Sequence, residues 1–140
     1  MFIQRSVDIV APPETVWAVL TDVEHWPEWT ASMTSLRLDA GPFAAGVRVR
    51  IKQPKLMAAT WRVTVCDPPH RFAWETSMPG MQAVAWHRIE PTPEGSRVTL
   101  EVNSTGLLAG VVGLLMGDIG ARYVRMEADG LKRRVEGRSA

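Results

Sequence analysis

A single cysteine in 140 residues, Cys66, excludes an internal disulfide and any metal site built on several thiolates. The three histidines, His25, His70 and His87, are too dispersed to form a metal-ligand spacing, so no metal is expected. Charge of one sign is also lacking: 16 basic against 15 acidic residues leave +1, and no overall field draws the chain to nucleic acid, although a local basic patch would escape that count. The longest uncharged stretch, residues 102–117, is 16 residues long and includes Asn103, Ser104 and several glycines. It falls short of the roughly 20 apolar residues of a spanning helix, and stable membrane insertion is not expected. The N-terminus carries Arg5 and Asp8 with no signal-like apolar run behind them, so a reduced cytoplasmic setting is expected. No P-loop, nucleophile elbow or dinucleotide fingerprint occurs: residues 106–120 have the glycines without the strand-turn-helix context or a phosphate-binding lysine. No cofactor is expected.

What is present is a globular balance, 46% hydrophobic and 22% charged, in a length that suits one domain over residues 1–140. Residues 2–10 alternate, with Ile3, Val7 and Ile9 on one side, as a half-buried strand requires. Pro13 then suits the first position of a short helix whose apolar face is Val16, Trp17 and Leu20, and Asp22 is placed to cap a second over residues 23–29. Trp26 and Trp29, three apart, share a face there. Strands follow at 35–39, 47–52, 60–66, 72–76, 82–90 and 97–102, and their close spacing implies antiparallel pairing. In 60–66 the alternation places Trp61, Val63 and Val65 opposite Arg62, Thr64 and Cys66, so Cys66 is expected to face outward. After Gly106 about 30 residues without proline carry a helical apolar pattern. Glycines at 106, 110, 113, 117 and 120 point to a loop or frayed turn at its start, and the segment with Arg122, Glu127, Asp129, Lys132 and Arg133 to its firm amphipathic part. The basic tail, Lys132, Arg133, Arg134 and Arg138, complements the helix dipole.

The order strand, two short helices, six strands, long helix resembles the START-like or Bet v 1-like superfamily, and within it the bacterial polyketide cyclase/dehydrase and lipid-transport group. Residues 7–17 (VDIVAPPETVW), 22–29 (DVEHWPEW), 72–75 (FAWE), 87–91 (HRIEP) and 95–100 (GSRVTL) carry the likeness. It implies an α+β helix-grip fold, in which a curved seven-stranded antiparallel sheet wraps the C-terminal helix around a cavity. It also implies a hydrophobic ligand, without naming a reaction.

Six tryptophans among ten aromatic residues is the oddest feature of the composition. Trp61 and Trp74 face inward on the expected strands, with Val63 and Phe72, and are the first candidate ligand contacts. Met57, Met78 and Met81 near strand ends add a deformable lining, and Leu115, Ile119 and Tyr123 present the helix side. Period two from Ile89 turns His87 inward, a polar group among apolar ones, while Trp86 faces out. His87 and Tyr123 are the candidate catalytic residues, as proton donors or acceptors to a ligand. Three readings follow: a carrier or sensor of a lipid-like or polyketide-like small molecule; an aromatase/cyclase or dehydratase using the same cavity; and a protein-interaction module, for which the superfamily supplies co-chaperone-like members. A homodimer is compatible with each.

Overall fold

The computed structural model describes residues 1–139, apart from the side chains at positions 116, 117, 138 and 139; Arg138 of the basic tail therefore lies outside the described side chains. Strand β1 (Phe2–Ile9) leads into α1 (Pro13–Leu20) and a 3-10 helix (Val23–Glu28). Six strands follow, β2 (Ser35–Leu38), β3 (Arg48–Lys52), β4 (Ala59–Asp67), β5 (Arg71–Met78), β6 (Met81–Thr92) and β7 (Gly95–Thr105), and the chain closes with α2 (Ala109–Ser139). All strands pair antiparallel in one curved sheet of order β1-β7-β6-β5-β4-β3-β2, the helix-grip arrangement. Its inner face carries the core, and α2 lies over it against β1, β7 and α1.

Local chemistry accounts for the boundaries. Pro12 is extended and Pro13 opens α1, where a missing N–H costs nothing; the helix then buries Val16, Val19 and Leu20. Asp22 does not cap the next helix: its Oδ1 lies 2.8 Å from His25 Nδ1, and the segment, with Pro27 inside it, tightens into 3-10 geometry. Trp26 is fully buried there, donates its indole N–H to the Leu20 carbonyl at 2.9 Å, and meets Trp29 at 5.2 Å between ring centres. At the far end, β6 and β7 run almost to the tip of their hairpin, turning on Pro93 and Glu94. A Cβ on Gly95 would come within 2.5 Å of the Ile9 carbonyl, and the buried Ser96 hydroxyl donates to the Ala11 carbonyl at 2.7 Å, so the hairpin is pinned to the β1–α1 corner.

Two further expectations are corrected. The register shifts between Val63 and Val65, a bulge that pairs Val65 with Ala73 and Cys66 with Phe72. One extra residue inverts the alternation beyond it, and Cys66 turns toward the core instead of outward. The glycine-rich start of α2 is helical from Ala109, not a loop. In its later turns Val124, Ala128, Leu131 and Val135 are buried, and a Cβ on Gly130 would sit 2.1 Å from the Trp29 carbonyl, so only glycine admits this close packing. The basic tail is knitted down as well. Lys132 Nζ donates to the Asp8 carbonyl and to Glu136 at 2.8 Å, and Arg134 reaches Glu28 at 2.7 Å.

Candidate functional site

Between the inner face of the sheet and α2 lies a cavity of about 150 Å³, partly open to solvent. The sheet contributes Ile51, Trp61, Trp74, Ala85, His87 and Leu100; α2 contributes Gly120, Tyr123, Val124 and Glu127; Met1, Ile3, Gln53 and Leu56 also border it. Trp61 is half-buried, its ring centre 6.4 Å from that of Trp74, which backs onto Trp26 at 5.4 Å. These tilted rings form a rigid apolar wall.

His87 is the polar exception on that wall, only 3% exposed. Its ring stacks on Phe72 with centroids 4.0 Å apart and planes 8° from parallel, edged by Trp74 at 5.2 Å and Trp26 at 5.9 Å. Its Nε2 stands 3.4 Å from Oε1 of Glu127, across the cavity on α2, while Nδ1 is buried without a hydrogen-bond partner. A carboxylate facing Nε2 favours the tautomer with the hydrogen on that nitrogen, leaving Nδ1 a bare acceptor enclosed by protein. The imidazole thus faces Glu127 at one nitrogen and is enclosed at the other. The group left with free acceptor capacity is the carboxylate, which has no hydrogen bond among the described residues.

Sequence reasoning missed Glu127 by placing it on the polar face of the helix. Its signal was available: it stands four residues after Tyr123, three after Val124 and four before Leu131, squarely on the buried stripe. Tyr123 does line the cavity with its ring, but its hydroxyl donates to the Pro54 carbonyl at 2.5 Å, so its hydrogen is not available to a ligand. Val63 and Phe72 are fully buried in the core behind the lining, Phe72 serving as the platform for His87. Met57, 92% exposed, lies in the β3–β4 connection, and Met78 and Met81 pair at the β5–β6 turn; none of the three borders the cavity, because the strand ends project beyond it. Leu115, 76% exposed, lies roughly 120° round the helix from Glu127 and Ile119 roughly 80°, which turns both from the lining.

Other candidates take structural places. Trp17 meets Phe72 edge-on at 6.2 Å, and Trp86 faces out beneath Arg88, 4.5 Å from its ring centre, and Arg71 at 5.8 Å. Burial, and secondarily the charge of Asp67, push the Cys66 thiol up, the opposite of an activated nucleophile. No group of three metal-ligating side chains stands together among the described residues, and no helix there is long and apolar enough to cross a membrane.

The family model for polyketide cyclase/dehydrase and lipid transport matches residues 3–136. The chain belongs to that family. Solved structures agree on the START-like fold. A Thermus thermophilus protein is 21% identical with a TM-score of 0.80, both chains being covered in full. The Zhui aromatase/cyclase of a Streptomyces species is 16% identical with a TM-score of 0.78, over 100% of this chain and 96% of that one. A START superfamily protein of Mycobacterium smegmatis is 16% identical with a TM-score of 0.76 over 97% of each chain. Among curated proteins none matches the sequence. The family member described here thus carries the family's fold with a small cavity whose polar content is one histidine–carboxylate pair and a few rim groups.

Proposed function

We propose that the chain is a single ligand-binding domain that holds a hydrophobic or aromatic small molecule between the inner face of the sheet and α2, acting in the cytoplasm as a carrier or sensor. The observation that carries this reading is the preformed cavity walled by Trp61 and Trp74 with one polar pair, His87 and Glu127, a few ångströms apart. Apolar walls with few fixed polar groups are the usual make-up of small-molecule sites. The cavity also weighs against a pure interaction module, since the tryptophans leave space instead of filling it. Native mass spectrometry of freshly purified protein, with organic extraction of what is released, tests the reading. A stoichiometric small molecule is expected; a bare chain that also fails to bind an apolar fluorescent probe would overturn it. Trp61→Ala is the clean variant, expected to weaken binding about tenfold with the fold intact, because Trp61 is half-buried whereas Trp74 is built into the core.

A second reading, a cyclase or dehydratase, is favoured by the same polar pair, and by the Streptomyces neighbour named as an aromatase/cyclase. Here Glu127 would meet the ligand as general base, taking one proton from one ligand atom and returning the same proton to another, while His87, its Nε2 facing the carboxylate at 3.4 Å, would hold it in orientation. Turnover of any extracted ligand that survives Glu127→Gln undiminished would dismiss it.

A further inference from the structure

We infer that the cavity takes one aromatic ring bearing a single neutral hydrogen-bond donor, a phenol or an arylamine, whose hydrogen is given to the Glu127 carboxylate. The inference rests on reading the cavity as a ligand site, and it narrows that reading in size and in chemistry.

Size comes first. The space is about 150 Å³, whereas pockets for drug-sized ligands run from about 300 to 1,000 Å³. An apolar cavity of about 150 Å³ in another protein accommodates a benzene molecule. A fused polycycle or a long acyl chain would have to displace the wall or leave part of its apolar surface outside in solvent, and that wall is made of tryptophans locked against one another: Trp74 has Trp26 at 5.4 Å, Phe72 at 5.1 Å and Phe43 at 6.4 Å behind it. Close-packed aromatic interiors yield little to overfilling.

Chemistry comes from the carboxylate. A carboxylate has about four acceptor sites when ionised, and Glu127, with a side chain only 11% exposed, has His87 Nε2 at 3.4 Å as its one polar side-chain neighbour and no hydrogen bond among the described residues. A ligand O–H or N–H supplies the missing charge-assisted bond. A plain hydrocarbon would drive out the water that solvates the carboxylate and leave it bare, at a cost of about 1–3 kcal/mol or more. An acidic ligand would set a like charge against Glu127. His87 offers a ligand nothing at Nδ1, which is enclosed, and Tyr123 has given its hydrogen to Pro54, so among the charged or ring groups of the wall selectivity for a donor falls to Glu127, with the Gln53 amide the one neutral acceptor named at the border.

Calorimetric titration of the whole protein with phenol, toluene, 2-naphthol and oleate tests this. Phenol is expected to bind at least about tenfold more tightly than toluene, its near-isostere without a donor. It is also expected to exceed 2-naphthol and oleate by a similar factor. In Glu127→Met, which removes the acceptor while keeping the bulk, toluene is expected to bind more tightly than in the wild type and the phenol preference to disappear. Equal affinity for phenol and toluene in the wild type, or a preference that persists in Glu127→Met, overturns the donor assignment. Affinity for 2-naphthol or oleate equal to that for phenol overturns the size limit. Oleate bound with phenol unbound overturns both parts of the inference and leaves the broader hydrophobic-ligand reading standing. Binding of none of the four overturns the broader reading too. Should Glu127→Met fail to fold, the wild-type comparison of phenol with toluene decides by itself.

Discussion

The two halves of α2 contrast in composition and in fate. The earlier half is the more apolar, yet Val111, Leu114 and Leu115 stand in solvent. The later half is rich in charge, yet Val124, Ala128, Leu131 and Val135 are buried, Gly130 seats against Trp29, and Lys132, Arg134 and Glu136 tie it to β1 and the 3-10 helix. Apolar composition does not bury a helix; a complementary surface does. The later half meets the sheet, α1 and the tryptophan cluster, while only part of the earlier half, around Gly113 and Gly120, comes close to Met1 and Ile3.

That contrast can be broken or sharpened by substitution. Gly130→Val should have the largest effect: its Cβ would collide with the Trp29 backbone, and chemical denaturation should show a loss above about 3 kcal/mol or no folded protein at all. Leu131→Ala, at a fully buried position, should cost about 2–5 kcal/mol in the same measurement. Glu136→Gln should cost less and in a pH-dependent way. The hydrogen bond from Lys132, then that from the Val10 N–H, holds the Glu136 carboxyl below its ordinary value of 4.5, so its contribution is complete above that value and fades as pH falls through the lowered one. Wild type and variant should differ in thermal stability at neutral pH and converge in acid; a gap that widens on acidification would refute this assignment. The smallest effect belongs to Leu114→Ser, 87% exposed, which should stay within about 0.5 kcal/mol of wild type. A cost there equal to that of Leu131→Ala would abolish the distinction between the halves.

Much of this architecture was legible in the chain because its signals are local. Alternation in the strands, Pro13 at the helix start, and the uninterrupted pattern after Gly106 each report on a few neighbours. What escaped was set by distant partners. The alternation over residues 60–66 reads as unbroken, and only pairing with β5 reveals the bulge that turns Cys66 inward. Asp22 had the right residue type for a cap, but the tighter helix and His25 claimed its side chain. Of the proposed lining, Trp61, Trp74, His87 and Tyr123 were brought to one cavity, whereas the methionines, chosen for softness and nearness to strand ends, lie past its edge. The Tyr123 hydroxyl found Pro54, 69 residues away, and no periodicity announces such a bond. Glu127 was misread because its charge was allowed to outweigh its position on the buried stripe.

The strand order also has a meaning in time. β1 is the first strand made, and its partner along every residue from Phe2 to Ile9 is β7, one of the last, with α2 later still. Strands β2 to β7 pair each with the next, so that meander can form as it is synthesised, through contacts of short loop length. Until β7 arrives, the N-terminal strand has no ladder to join. Until α2 arrives, the tryptophan wall faces water. Completion of the fold therefore waits on β7 and α2: a ribosome stalled short of Gly95 would hold a sheet without its β1–β7 pair, and one stalled short of residue 131 would leave the most adhesive surface uncovered.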